Sequence, residues 1–110
     1  MSDFYRAQIP FGVHYAAVQL SNSGTVVIGV STRQIVLLSA NLIASAAVNI
    51  KWQTSTGPVD LSGYAYLAAN GGYILPHNAG GWLATAVNDS LLLSFSAAVS
   101  VGGCISYITV

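Results

Sequence analysis

The chain has 110 residues, of which 54% are hydrophobic and only 5% charged, and its formal net charge is zero. Three cations over that length are too few for counterion release to drive nucleic-acid binding, and the length predicts a single domain. An ordinary soluble domain carries roughly 25% charged residues, so a surface this poor in charge predicts a chain covered by copies of itself or by a larger assembly.

In chain order, residues 1–14 are weakly patterned and interrupted by Pro10 and Gly12. They predict an extended N-terminal arm, whose Phe4, Tyr5, Ile9 and Phe11 are candidates for contact with a neighbouring subunit or a larger assembly. A basic stretch followed by an apolar run is missing, so no signal peptide is expected. From residue 15 to 110 the pattern is that of an all-β domain. Tyr15–Leu20 and Thr25–Val30 are short β-branched or aromatic runs around SNSG (21–24), which predicts a hairpin-type turn.

Gln34–Ala44 is apolar on both parities: Ile35, Leu37 and Ile43 on one, Val36, Leu38 and Leu42 on the other. A strand of that kind needs cover on both sides. Val36, Leu38 and Leu42 are therefore expected against a neighbouring copy. The other reading of this Ala- and Leu-rich run is a helix over 34–47. VNIKWQTS then alternates strictly, which places Ile50 and Trp52 in the core. Turn signals recur at 54–58, 61–63, 69–72, 76–81, 87–89 and 101–103, with short strands expected at 59–61 and 72–75. Regular punctuation of this kind indicates a sandwich or barrel of about eight strands.

Ser90–Val110 is an uncharged stretch of 21 residues, long enough for a bilayer. Its alternation, with Leu91, Leu93 and Phe95 on one parity and Ser94 and Ser96 on the other, instead predicts strands over 90–98 and 103–110, with Leu93 and Phe95 in the core. No flanking Lys or Arg supplies a topology signal, and no membrane contact is expected. SAAV occurs twice, at 45–48 and 96–99, each time between long apolar runs; the pair predicts two sheet corners where small side chains let backbones approach.

The stretch YLAANGGYILPHNAGGW (66–82) is rich in Gly, Asn and Pro, with one His. It fits neither the dinucleotide nor the P-loop pattern, and no strand–loop–helix unit surrounds it. It predicts a structural connector ending in Trp82, which is expected to plug one end of the sandwich. Two histidines, three Asp and one Cys make a three- or four-ligand metal site improbable on numbers alone. No nucleophile elbow accompanies the serines, and the three Asp fall near turns or the N-terminus. No catalysis and no cofactor is expected. Trp52, Trp82 and six Tyr could stack on sugar rings, so glycan binding stands as the alternative to packing.

The order of Ser45–Val48, Leu67–Pro76 (LAANGGYILP), Gly81-Trp82 and Leu91–Gly103 (LLLSFSAAVSVGG) resembles a group of small proteins encoded by tailed double-stranded DNA bacteriophages. The resemblance covers about residues 34–110. It implies a small antiparallel jelly-roll that forms homotrimers, sits on the outside of the virion and cements the capsid by binding the major capsid protein. Similar jelly-rolls occur in phage tails and fibres, so the alternative it implies is a trimeric head that binds a host receptor or glycan.

Overall fold

The computed structural model describes residues 12–110; the arm candidates Phe4, Tyr5, Ile9 and Phe11 lie outside the described residues. Nine strands follow in chain order: β1 (His14–Leu20), β2 (Gly24–Val27), β3 (Ile35–Ala44), β4 (Val48–Thr54), β5 (Ala65–Leu67), β6 (Gly72–Leu75), β7 (Leu83–Ala84), β8 (Leu91–Phe95) and β9 (Val101–Thr109). They form two antiparallel sheets. The larger has the order β1-β9-β3-β6, with β7 also pairing β3; the smaller has the order β2-β8-β4-β5.

Setting β7 aside, the strands pair first with last: β1 with β9, β2 with β8, β3 with β6 and β4 with β5. The chain is thus one long hairpin, with its tip at the β4–β5 connection, rolled so that each sheet takes alternate strand pairs. Contacts of β9 with β3 and of β8 with β4 complete the sheets. This is the jelly roll, the double-sheet solution to an all-β chain of this size. No helix is formed over 34–47; β3 occupies that run.

The core lies between the sheets. β4 and β8 alternate as their sequences predict, burying Val48, Ile50, Trp52 and Thr54 from one and Leu91, Leu93 and Phe95 from the other. From the larger sheet, Val18, Ile35, Leu37, Ala40, Leu42, Ala44, Val101 and Ile105 face them. Full burial of each aliphatic side chain is worth about 1.5–3 kcal/mol. The Trp52 indole is fully enclosed, and its Nε1–H donates to the Tyr73 hydroxyl at 3.1 Å, so its one polar atom is satisfied.

β3 corrects the reading of its two-sided apolarity. Leu37 pairs with Tyr107 and Ser39 with Ser106, which leaves Leu38 without a partner across the ladder. Leu38 is the extra residue of a β-bulge, and a one-residue insertion reverses the facing of everything beyond it. Ile35 and Leu37 point inward before the bulge; Ala40, Leu42 and Ala44 point inward after it. The inward-facing residues therefore change parity at the bulge, while Val36 and Ile43 face outward. Leu38 and Leu42 are buried within the single chain, and neither needs a neighbouring copy to cover it. Val36 lies outward beneath the 81–82 backbone: a Cβ on Gly81 would sit 2.3 Å from its Cγ1.

Three connections also depart from expectation. The 21–23 turn does not close a hairpin, because β1 and β2 belong to different sheets. Ser23 anchors the crossing by accepting the Phe95 N–H at its Oγ, 2.7 Å away. Residues 59–61 form no strand, only an isolated bridge between Gln53 and Asp60. The 90–98 alternation ends at Phe95, and the following residues turn the chain into the other sheet. The two SAAV segments do mark paired corners, from β3 to β4 and from β8 to β9. Ser45 N–H donates to Ser100 O at 2.8 Å, and Ser96 N–H to Asn49 O at 2.9 Å, so the corners lie side by side.

Candidate interaction surfaces

The 76–82 loop spends its polar groups on itself and on β3. Asn78 N–H donates to the Leu38 carbonyl at the bulge, Trp82 N–H to the Leu37 carbonyl, and Gly81 N–H to Asn78 O. The Asn78 side chain accepts from Gly80 N–H at 3.0 Å and donates to Gly81 O at 3.3 Å. The loop is a clasp over the bulge, bridging from β6 to β7 along one edge of β3. His77 stands exposed on it. Trp82 is not a core plug, contrary to its expected place: its side chain is 45% exposed, and its Nε1–H donates to the Pro76 carbonyl at 2.8 Å. The ring closes the loop on itself rather than entering the sandwich.

Among the described residues, the candidate metal ligands stand apart. His14 stacks on Tyr107 at the start of β1, with ring centroids 5.2 Å apart, whereas Cys104 is exposed on β9. Among the described residues no three His, Cys, Asp or Glu side chains gather where one ion could be held. No helix among them is long and apolar enough to cross a membrane.

The outer faces of the two sheets differ in kind. The smaller sheet carries Asn49, Lys51 and Gln53 outward on β4. Lys51 Nζ donates to Asp60 at 3.1 Å and Gln53 Nε2 at 2.7 Å. These hydrogen bonds, the Gln53 one foremost, hold the Asp60 carboxyl below its ordinary range. Lys51 also sits 4.6 Å from the centre of the Tyr64 ring. Tyr66, beside Asn49 in the ladder, is 79% exposed. This face is polar, charged and aromatic.

Among the described residues, the larger sheet presents no charge. The four charged side chains among the described residues are Arg33 and Asp89 in loops, and Lys51 and Asp60 on the other side of the sandwich. Its outward positions align in rows: Ala17, Cys104, Asn41 and Ile74 across the four main strands, then Gln19, Gly102, Ile43 and Gly72. Ile43 is 57% exposed and Ile74 69%. Because Gly102 has no side chain, an open groove of about 800 Å³ runs over it, walled by Gln19 and Ile43 and closed at the corner end by Ser45, Asn70 and Ser100. Gly103 beside it is obligatory: at φ 149°, a Cβ would lie 1.9 Å from the Asn41 carbonyl oxygen. Of this surface, the sequence reasoning had singled out none of Tyr15, Ile43, Ile74 and Gly102; the bulge hid which parity of β3 faces outward.

No protein-family model, curated protein or solved structure matches the chain.

Proposed function

We propose that this chain is a structural protein of a tailed-phage virion, decorating the outer surface of the capsid as a homotrimer and cementing the shell through the major capsid protein. The observation that carries the reading is a jelly roll whose larger sheet exposes a charge-free, partly apolar outer face. Such a face is a poor surface for a free monomer and a good one for an assembly. The motif order from Ser45 to Gly103 supplies the virion context. Binding needs no catalysis and no cofactor in this reading. Each copy contributes apolar burial at capsomer junctions, and many weak contacts add because the lattice makes them multivalent.

Deletion of the gene tests it. Capsids without the protein should assemble yet lose packaged DNA at lower temperature or on osmotic shock, and purified protein should restore them. Antibody label should fall on the shell. Restoration should depend little on salt, because so few charges take part.

The second reading is a tail- or fibre-associated head that binds a host glycan, and a specific observation favours it: Tyr66 stands exposed beside Asn49 and Tyr64 beside Lys51, a ring-and-polar face of the kind that meets sugars. It expects heat-stable phage that fail to adsorb, and label at the tail.

A further inference from the structure

We infer that the outer face of the larger sheet is where copies of this chain meet, with Tyr15 of one copy entering the groove over Gly102 of the next. The inference rests on the self-assembling part of the reading above and adds to it the surface and the residues.

Charge argues for a second copy as the occupant. A charged partner laid on this face would lose water from its ions and find no countercharge, at a cost of several kcal/mol per ion. The face that matches a charge-free surface, and carries no like-charge repulsion against it, is the same face of another copy. The neutral hydrogen-bonding groups at its margin, Gln19 and Asn70, can pair with their own kind.

Shape argues the same way. Tyr15 is 77% exposed and projects from β1. The groove opens four residues further along the same strand, about 13 Å away, walled by Gln19. The face thus carries a projecting ring and a recess, and each copy offers the counterpart of both. A ring and a recess on one face, each met by its counterpart on the same face of a second copy, make an isologous contact about a two-fold axis. Four strands about 4.8 Å apart and about 25 Å of strand length give roughly 500 Å² a side, or about 1,000 Å² for the pair. That reaches the lower bound for a specific protein interface.

Gly102 permits a test that spares the fold. A Cβ there meets nothing closer than the Val18 carbonyl oxygen at 3.6 Å, so a side chain fits the monomer and fills only the groove. Light scattering of the wild-type protein at micromolar concentration should give an oligomer. Gly102→Leu should give a folded monomer of 11.4 kDa that unfolds in a single cooperative transition with a midpoint independent of protein concentration, and Tyr15→Ala should raise the dissociation constant at least tenfold. Cys104, on the same face, reports occupancy directly: its reaction with a maleimide should be slow in the oligomer and at least ten times faster in Gly102→Leu.

A wild-type monomer with a freely reactive Cys104 overturns the inference. So does an oligomer that neither substitution disturbs, which would place the contact elsewhere, or a monomer whose Cys104 becomes protected only on particles, which would give the face to the capsid. An oligomer that responds as expected but does not stabilise capsids would leave the inference standing and remove the cementing function.

Discussion

Gly102 and Gly103 are neighbours held to different constraints. Gly103→Ala drives a methyl group into the Asn41 backbone at a φ that side chains rarely adopt, and should destabilise the protein by more than about 1 kcal/mol. Gly102→Ala should leave the denaturant midpoint of the monomer within about 0.5 kcal/mol of wild type. A matched pair of unfolding curves reads both. The two tryptophans separate in the same way. Trp52→Ala removes a fully enclosed side chain and should cost about 3–5 kcal/mol. Trp82→Ala forfeits an exposed ring and one hydrogen bond, a loss of about 1 kcal/mol. Equal losses would mean that Trp82 is core after all. His77→Ala should be silent in fold and assembly.

Asp60 gives the one pH dependence the geometry supports. Hydrogen bonds from Gln53 and Lys51 depress its carboxyl below the ordinary 3.8 in the folded chain. Stability from this group is therefore present above that value and is lost as pH falls through the folded-state value. Thermal midpoints of the wild type should decline in that acid window more than those of Asp60→Asn. The carboxylate is solvent-exposed, so the difference is small and salt-sensitive.

At the scale of the element, β3 is the most informative strand. Its ladder becomes regular if Leu38 is skipped, since Leu37, Ser39 and Ala40 meet Tyr107, Ser106 and Ile105 in succession. Deleting Leu38 should thus preserve the facing of Leu42 and Ala44, and lose mainly one buried side chain, a few kcal/mol. Inserting one Ala after Asn41 should instead turn Leu42 and Ala44 outward and abolish folding. Circular dichroism and proteolysis of the two variants distinguish them. If both fold equally well, register is not what β3 supplies.

The same strand shows what the sequence could and could not disclose. Strict alternation in VNIKWQT and LLLSF located β4, β8 and their buried residues, because period two survives wherever a ladder is regular. A bulge shifts that period by one and leaves in the sequence only an apolar run on two parities, which is also how a strand covered on both sides looks. β5 and β7, with three and two residues, are too short to show a period at all. The turn at 21–23 was visible, but whether a turn returns along one sheet or crosses to the other depends on partners far along the chain. Trp82 was misplaced because a bulky ring after two glycines looks the same on a clasp as in a core. Of the proposed interaction surface, only the scarcity of charge was legible; its location depends on facing, and so on the bulge.

For the whole molecule, the polar and charge-free faces lie on opposite sides of one sandwich, so a partner on either leaves the other in water. The charge-free side should show steep dependence on temperature and little on salt, the mark of apolar burial. The Lys51–Asp60 side should respond to salt if it binds anything. Titrating sodium chloride into both the self-association and the capsid-binding measurements assigns each to a face.

The rolled hairpin also governs how the chain is made. β9 is made after the other eight strands, yet it lies between β1 and β3 and pairs with both. Until it arrives, the first strand has nothing to pair with, and the apolar residues of β1 and β3 are exposed in the nascent chain. Only the short pairing at the hairpin tip, β4 with β5, is local in sequence. The His14–Tyr107 pairing must wait for β1 and β9 to meet. Folding should therefore begin only once β9 has been made, and should be slow for a domain of this size, on the order of milliseconds to seconds. Interrupted synthesis should yield insoluble fragments rather than smaller sandwiches.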